Sequence, residues 1–229
     1  VSHDPYFHHR YATRPDGTPV RKEDKKEYIY RMPYSEVAKY DVGKRPSDVW
    51  PEKACIETVK PLASDLIDFV ENYTKENGMS PVRYNIEIKS KDADGESINW
   101  PAYDSFVRSC ALLLHSKDLG DRLVVQSFDV RALEYMKERY PEFILSYLVD
   151  AKEPDFDTFM KKLKITPEWL SPHHSITTEE MVKKCHEKGM KIVPWTVDAP
   201  EDIKRMIDLK VDAIISNYPD RVIRQTRGY

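Results

Sequence analysis

Residues 84–90 read YNIEIKS, and their alternation of side chains is typical of a β-strand. Successive strand side chains point to opposite faces, so one face would carry Asn85, Glu87 and Lys89 and the other the two isoleucines. In isolation, an edge strand with a solvated Glu/Lys face is the commoner explanation. In a parallel sheet covered by helices, inward charges are costly unless a metal ion or an anion pairs with them. We therefore interpret Glu87 and Lys89 as parts of a functional site.

The same pattern continues toward the C terminus, where short β-branched or aromatic runs alternate with amphipathic helix patterns. The runs are LVVQSFD (123–129), FILSYLV (143–149), EWLSPHH (168–174), KIVPWTVD (191–198) and DAIISNYPD (212–220). Their centres lie 20, 25, 23 and 22 residues apart, about one βα unit each. In the helix pattern at 176–189, Thr177 and Glu180 have capping-box spacing and Gly189 is a stop signal. This regular alternation predicts an α/β protein with a parallel sheet.

The position of the polar residues distinguishes a closed (β/α)8 TIM barrel from an open sheet. They gather at the C-terminal ends of the runs, which form the active-site edge of a barrel, whereas an open sheet gathers them mainly at one switch point. These residues are Lys89, Ser127, Asp150, His173, Trp195, Thr196 and Asn217. We therefore predict a barrel. Six strands are visible in the sequence and a barrel needs eight, so two strands are expected to be missing or hidden before residue 60.

The first sixty residues supply no convincing strand. The charged, turn-rich segment 14–28 is followed by a short helix pattern at 33–40, which we expect Gly43 to close. A clear helix pattern then covers 60–78. Its predicted buried face, packed outside the barrel, consists of Leu62, Leu66, Phe69, Val70 and Tyr73. We expect one barrel domain over 1–229, with 4–60 an excursion beside the site.

Composition excludes several classes of protein. The 36 basic and 39 acidic residues give a net charge of -3, without the field that marks a nucleic-acid binder. Neither a P-loop nor a dinucleotide-binding glycine motif occurs. The three cysteines are widely spaced and suggest no C-x-x-C metal motif or disulfide framework. No apolar run approaches the ~18 residues of a membrane span, so stable membrane insertion is not expected. The near-balanced charge likewise gives no reason to expect nucleic-acid binding.

Histidines and aromatic residues provide further candidates. The adjacent pairs His8/His9 and His173/His174 would point to opposite sides of an extended backbone, so neither pair would chelate one ion. One of the latter pair is a candidate for lining the mouth of the barrel. Phe128 and Trp195, near strand ends, can form an apolar wall for a ligand, although core packing is nearly as good an explanation for Phe128.

Five motifs, in this order and near these spacings, resemble those of the glycerophosphodiester phosphodiesterase family: SHDP, NIEIKS, VVQSFD, VPWTVD and AIISNYPD. The stretches PYSEVAKYDVG and KPLASDLID are similar to the family segment between its His-Asp motif and the next strand. The motifs are short individually but specific jointly, and the resemblance spans essentially the whole chain.

The resemblance implies hydrolysis of a small-molecule glycerophosphodiester to glycerol 3-phosphate and an alcohol, with a divalent metal ion, Ca2+ or Mg2+. It makes His3 an acid/base histidine, Glu87 a metal carboxylate and Lys89 a phosphate contact. Trp195 matches the aromatic residue that walls the glycerol side. In the family, the substrate's own glycerol hydroxyl is thought to attack, giving a cyclic phosphate that water opens.

Some family motifs are absent. The family's opening His-Arg-Gly, the following Glu-Asn and the Glu-x-Asp of its second strand would lie before Val1. The chain as given is therefore expected to be N-terminally incomplete and to lack the first two strands. Asp198 stands where asparagine is frequent, and Ala213 where glycine is frequent. Two alternatives stay open: an inactive barrel fragment that binds phosphate, and a phospholipase D-like enzyme of the related superfamily that acts on choline-bearing lipids.

Overall fold

The computed structural model describes residues 1–90 and 99–226, which divide into two compact units. The first unit contains Val1–Val82 with 99–102 of the described residues, and the second contains Arg83–Ser90 and the chain from Tyr103 onward. The single domain expected over 1–229 stays a prediction. Among the described residues, no helix has the length and apolar character needed to cross a membrane.

The first unit has a hydrophobic core of its own. Its elements are a 3-10 turn at Ile29–Arg31 and the helices α1 (Tyr34–Val37) and α2 (Ala63–Glu76). The core is formed by Phe7, Ala12, Val20, Val37 and Tyr40, with the rings of Phe7 and Tyr40 stacked at 3.8 Å between centroids. Antiparallel bridges join Tyr6 to Tyr28 and Thr13 to both Pro19 and Asp41. The segment predicted as an excursion is thus packed around its own apolar residues.

The prediction that Gly43 closes the first helix is wrong, because α1 already ends at Val37. It lies instead where the chain passes close to 56–58, and the amide of the preceding Val42 donates to the Thr58 carbonyl at 2.8 Å. A Cβ built on Gly43 would stand 2.1 Å from the Ile56 carbonyl oxygen and 2.6 Å from Thr58 Cγ2. The glycine is therefore required by close approach of two backbone segments.

Gly43→Ala is expected to lower the free energy of unfolding by about 1–3 kcal/mol or more, since the backbone must move to admit a methyl group. Urea denaturation of the purified variant measures this. Gly17→Ala is the comparison: a Cβ there meets nothing within 4 Å, and its cost comes from a φ of +85° alone. An unchanged midpoint for Gly43→Ala would contradict the packing described.

The predicted buried face of α2 is wrong. Leu62, Leu66, Phe69 and Tyr73 are exposed, Val70 is half-buried, and the helix is buried through Ile67 and Thr74. Ile67 and Thr74 are seven residues apart, which places them on one side of the helix, beside the apolar stripe rather than within it. The sequence pattern locates the apolar stripe, but it does not tell which side of a helix meets its neighbours.

The second unit is built on a parallel sheet of five strands in the order β1-β2-β3-β4-β5. The strands are β1 (Tyr84–Glu87), β2 (Leu123–Ser127), β3 (Ile144–Val149), β4 (Trp169–Pro172) and β5 (Lys191–Ile192). The helices are α3 (Tyr103–His115), α4 (Val130–Arg139), α5 (Phe156–Met160), α6 (Glu179–Glu187), α7 (Pro200–Asp208) and α8 (Pro219–Thr226). Consecutive strands pair side by side with helices between them, which confirms the predicted α/β class and parallel sheet.

The strand predicted at 212–220 does not form as a regular strand. Its backbone nevertheless lies beside β5, because the amides of Asp212 and Ile215 donate to the carbonyls of Ile192 and Pro194 at 3.0 and 2.9 Å. Pro194 has no N–H to return to the ladder, which interrupts the regular pairing, and bonding resumes where the Val197 amide donates to the Ile215 carbonyl at 2.9 Å.

The start of α6 differs by one residue from the prediction. Thr178, not Thr177, is the N-cap, and its hydroxyl accepts a hydrogen bond from the Met181 amide at 3.2 Å. Thr177 is buried and donates to the His173 carbonyl instead. Gly189 follows the helix with a φ of +70°, which confirms the predicted stop.

Candidate active site

The register of the parallel strands assigns side chains to one face of the sheet. Glu87 pairs with Gln126, Gln126 with Ser146, and Ser146 with Trp169. Side chains paired in this way lie on the same side of the sheet, here called the inner face. At the C-terminal ends of the strands this face reaches Lys89, Phe128, Asp150, His173 and Trp195, here called the rim. An isolated bridge between His173 and Trp195 continues the register past β5.

Below the rim, the inner face carries a row of buried polar side chains that no sequence motif indicates, those of Gln126, Ser146 and Ser171. Gln126 Oε1 accepts from Asn85 Nδ2 at 3.1 Å and from Ser171 Oγ at 3.4 Å. The hydroxyls of Ser171 and Ser146 are 2.7 Å apart. The sequence signal that could have indicated this row is one polar residue, Gln126, Ser146 or Ser171, inside each of three largely apolar strand runs. Since these groups satisfy one another, the row costs little to bury and fixes the strands beneath the rim.

Glu87 and Lys89 lie together, as the alternation predicts. Lys89 Nζ donates to Glu87 Oε1 at 2.8 Å, and the side chains are 24% and 23% exposed. A pair that is only partly desolvated keeps open positions on both groups, since an ammonium has three N–H donors and a carboxylate two oxygens. Lys89 can therefore bind an oxyanion at the rim while it keeps its hydrogen bond to Glu87.

Phe128 and Trp195 form one aromatic surface. Their rings meet edge to face with centroids 5.3 Å apart, and Trp195 Nε1 donates to the Ser171 carbonyl at 2.9 Å. Phe128 is 41% exposed, which excludes simple core packing as its role. Phe128 follows β2 and Trp195 follows β5, so the sheet must curl strongly for these rings to touch. Such curling is characteristic of part of a barrel.

His173 stands on the same surface, with its ring 5.0 Å from that of Trp195. Its Nδ1 accepts from the Ser175 amide at 3.2 Å, so the ring is held by the turn that follows β4. Burial lowers the pKa of His173, and the neighbouring His174 lowers it further, while Asp150 and Asp202 oppose the shift. Both effects favour the neutral imidazole, which presents a polar edge to the rim.

The prediction that adjacent histidines point to opposite sides is wrong for both pairs. The rings of His8 and His9 are stacked at 4.3 Å, and those of His173 and His174 are 4.6 Å apart. In each case the backbone turns rather than extends: His8 O accepts from the Ala12 amide, and a 3-10 turn covers His174–Ile176. Opposite orientation holds only for extended backbone.

Asp129 fixes the chain next to the rim. It caps α4 by accepting from the Arg131 amide, and its other oxygen accepts from Ser90 Oγ at 2.8 Å, just beyond Lys89. Burial would raise the pKa of Asp129, but hydrogen bonds from Arg131 and Ser90 outweigh it and hold the pKa below its ordinary value. The carboxylate thus ties the loop after β1 to the start of α4.

Asp129→Asn is expected to lower the free energy of unfolding by about 1–2 kcal/mol at pH 7. Because the folded-state pKa is depressed, this difference is fully present above about pH 4 and disappears as the pH falls through the folded pKa. Urea titrations at several pH values measure it. Asp155→Asn, at an exposed cap, should cost less. A difference that grows on acidification would contradict the assignment.

In the first unit, His3 is joined to an acid. Its Nδ1 lies 3.3 Å from Asp4 Oδ1, and Tyr11 donates its hydroxyl to Asp4 Oδ2 at 3.1 Å. The His3 side chain is 77% exposed. The carboxylate can orient the ring, which is the arrangement that a histidine acid or base requires.

The structure thus brings together Glu87 with Lys89, and Phe128 with Trp195, in the second unit, while His3 belongs to the first. Among residues 1–90 and 99–226, no three histidine, cysteine, aspartate or glutamate side chains are grouped so as to hold a metal ion. Glu87 supplies one carboxylate, and a divalent cation needs several oxygen ligands. The described residues therefore do not form a metal site by themselves.

Solved structures similar to this chain have the same barrel-type fold. A glycerophosphoryl diester phosphodiesterase-type protein of Silicibacter pomeroyi matches with a TM-score of 0.81 and 24% identity, over 98% of this chain and 77% of that one. An Oleispira antarctica phosphodiesterase, solved with the product sn-glycerol 3-phosphate, matches with a TM-score of 0.69 and 21% identity over the same shares. Both likenesses agree with the predicted barrel.

Sequence comparisons define the family. The model of the glycerophosphoryl diester phosphodiesterase family matches residues 1–221. The chain belongs to this family. It is 24% identical to a Bacillus subtilis glycerophosphodiester phosphodiesterase over 85% of its length, and 28% identical to one from Caldanaerobacter subterraneus over 62%. It spans 64% and 55% of the lengths of these two relatives.

Proposed function

We propose that the protein hydrolyses glycerophosphodiesters to glycerol 3-phosphate and an alcohol. Family membership supports this activity, as do two relatives that bear its name and the product bound to the Oleispira antarctica enzyme. The observation that carries the proposal is the rim, where Lys89 pairs with Glu87 and Phe128 with Trp195 form an aromatic surface. A cationic group with an apolar wall suits a small substrate that has one phosphate and a carbon skeleton.

The proposed roles follow from the chemistry of each side chain. Lys89 would contact a phosphate oxygen and stabilise the charge that develops on the phosphoryl group during displacement. Trp195 and Phe128 would wall the glycerol carbons. His3, oriented by Asp4, would take the proton from the attacking hydroxyl and return it to the leaving alcohol oxygen. The attacking hydroxyl would be the substrate's own on glycerol, so this step exchanges one P–O bond for another and gives a cyclic phosphate. Water would then open the ring, its proton passing to the displaced glycerol oxygen, so that glycerol 3-phosphate forms and the proton count balances.

A divalent cation, Ca2+ or Mg2+, belongs to the proposal as a cofactor, with Glu87 as one carboxylate ligand. No catalytic step above passes through the ion, because the described residues do not complete a site for it.

Phosphorus-31 NMR of the protein incubated with glycerophosphocholine and Mg2+ or Ca2+ tests the proposed reaction. We expect the diester signal to be replaced by that of glycerol 3-phosphate, with free choline released. Formation of glycerol and phosphocholine would show cleavage of the other P–O bond and would contradict the proposal. An unchanged diester signal would favour an inactive phosphate-binding protein instead.

A further inference from the structure

Lys60 is a buried lysine that the proposed mechanism does not use. It lies in the first unit shortly before α2, and the residue is 7% exposed. Its ammonium stands over two aromatic rings, 5.4 Å from the centroid of Tyr11 and 6.0 Å from that of Phe7. Within residues 1–90 and 99–226, it donates no hydrogen bond and has no carboxylate oxygen within 4.0 Å. A lysine this deeply buried is ordinarily paired.

Among the residues that the structure describes, the charged groups around Lys60 leave its ammonium without a counter-ion in contact. Asp4 is the carboxylate that attracts it, but one Asp4 oxygen faces His3 Nδ1 and the other accepts from Tyr11. Burial lowers the pKa of Lys60, and Asp4 only partly offsets the effect. The two aromatic rings compensate weakly, since Phe7 is at the limit of a cation–π contact.

A desolvated cation without a partner is costly, so its presence needs a compensating group. An oxyanion is the natural one, because its oxygens accept the three N–H bonds that an ammonium offers. We propose that Lys60 binds a phosphate group, in a subsite of the first unit beside His3 and Asp4. The choice of phosphate rests on the proposed function, in which both the substrate diester and the product monoester carry one.

Thermal unfolding with and without anions tests this subsite. Inorganic phosphate and glycerol 3-phosphate are each expected to raise the Tm of the wild-type protein, by the usual linkage of binding to stability. Lys60→Met should lose at least half of both shifts and bind inorganic phosphate about tenfold more weakly. Without anion, Lys60→Met should be at least as stable as wild type, because it removes a buried unpaired charge.

Lys26→Met is the matched control. Lys26 also lies over a tyrosine ring, 4.5 Å from the centroid of Tyr6, but it is exposed. This variant should keep the full phosphate-dependent shift. If Lys60→Met does not fold, Lys60→Arg should keep the shift and Lys60→Gln should lose it.

The outcomes separate this proposal from the proposed function. A full phosphate-dependent shift in Lys60→Met, in a variant that still hydrolyses glycerophosphocholine, would overturn the subsite and leave the enzymatic activity intact. A Lys60-dependent shift in a protein that hydrolyses no glycerophosphodiester would support the subsite and overturn the function. A variant less stable than wild type without anion, and equally stabilised by phosphate, would show that Lys60 is structural.

Discussion

Lys89→Met is expected to lower kcat/KM for glycerophosphocholine by about 10²–10³-fold, which is the usual cost of removing one transition-state hydrogen-bond donor. Lys89 is the cation of the rim, and only about a quarter of its side chain is exposed, at 24%. Its electrostatic effect on a phosphoryl oxygen is therefore screened less than that of a surface lysine. Methionine keeps the length of the side chain and removes the charge. Steady-state kinetics with a coupled assay for glycerol 3-phosphate measures the loss.

Lys191→Met provides the control for this prediction. Lys191 pairs in register with Trp169 and lies on the inner face, 5.2 Å over that ring, but at the N-terminal end of β5. Loss of this lysine should leave kcat/KM within about twofold of wild type, since charges far from the reacting atoms contribute little. Equal losses in both variants, or full activity of Lys89→Met, would contradict the role of the rim.

A double-mutant cycle distinguishes an internal ion pair from two functional groups. If Glu87 and Lys89 served only each other, Glu87→Gln would offset the damage of Lys89→Met. We expect no such recovery, because each group has its own proposed partner, the cation for Glu87 and the phosphate for Lys89. Glu87→Gln should also raise the concentration of Ca2+ or Mg2+ needed for half-maximal activity. An unchanged metal requirement with full activity would exclude Glu87 as a ligand.

His3→Asn is expected to lower kcat by about 10²–10⁴-fold, the range for loss of a general acid or base. Asparagine can still face Asp4 but cannot carry the proton. His115→Asn is a closely matched control, because His115 lies 3.5 Å from Glu142 and is 73% exposed, much as His3 is beside Asp4. Wild-type kcat in His3→Asn, or a comparable loss in His115→Asn, would remove His3 from the mechanism.

Much of the second unit could be predicted because its sequence signals are local. Each strand from β2 to β5 lies within a β-branched or aromatic run, and the spacing of these runs reflects one helix per crossover. The charged pair at the C-terminal end of β1 was also predictable, because alternation alone brings Glu87 and Lys89 to one face. The 2.8 Å contact between them follows from that geometry.

The features that the sequence did not predict depend on tertiary contacts, which a local residue pattern does not contain. Regular strand pairing at 212–220 is interrupted because Pro194, on the neighbouring segment after β5, has no N–H to donate. The stacking of His8 on His9 depends on a backbone turn at these residues, and no glycine or proline within the turn indicates it in the sequence. Gln126 and Ser171 lie on strands that are not neighbours, and only the curvature of the sheet brings their side chains together across β3. The burial of Lys60 beneath Phe7 and Tyr11 is likewise a tertiary feature, which no local sequence pattern indicates.

The central claim, that the rim serves a glycerophosphodiester substrate, is tested most directly by comparing kcat/KM for glycerophosphocholine with that for lysophosphatidylcholine. Both share the phosphocholine group, and they differ in the acyl chain on the glycerol. With Mg2+ or Ca2+ present, the account predicts that glycerol 3-phosphate is released from glycerophosphocholine at a kcat/KM at least about tenfold above that for the lysolipid, since the wall of Phe128 and Trp195 is proposed to fit bare glycerol. Preference for the lysolipid, or no turnover of either, would contradict it.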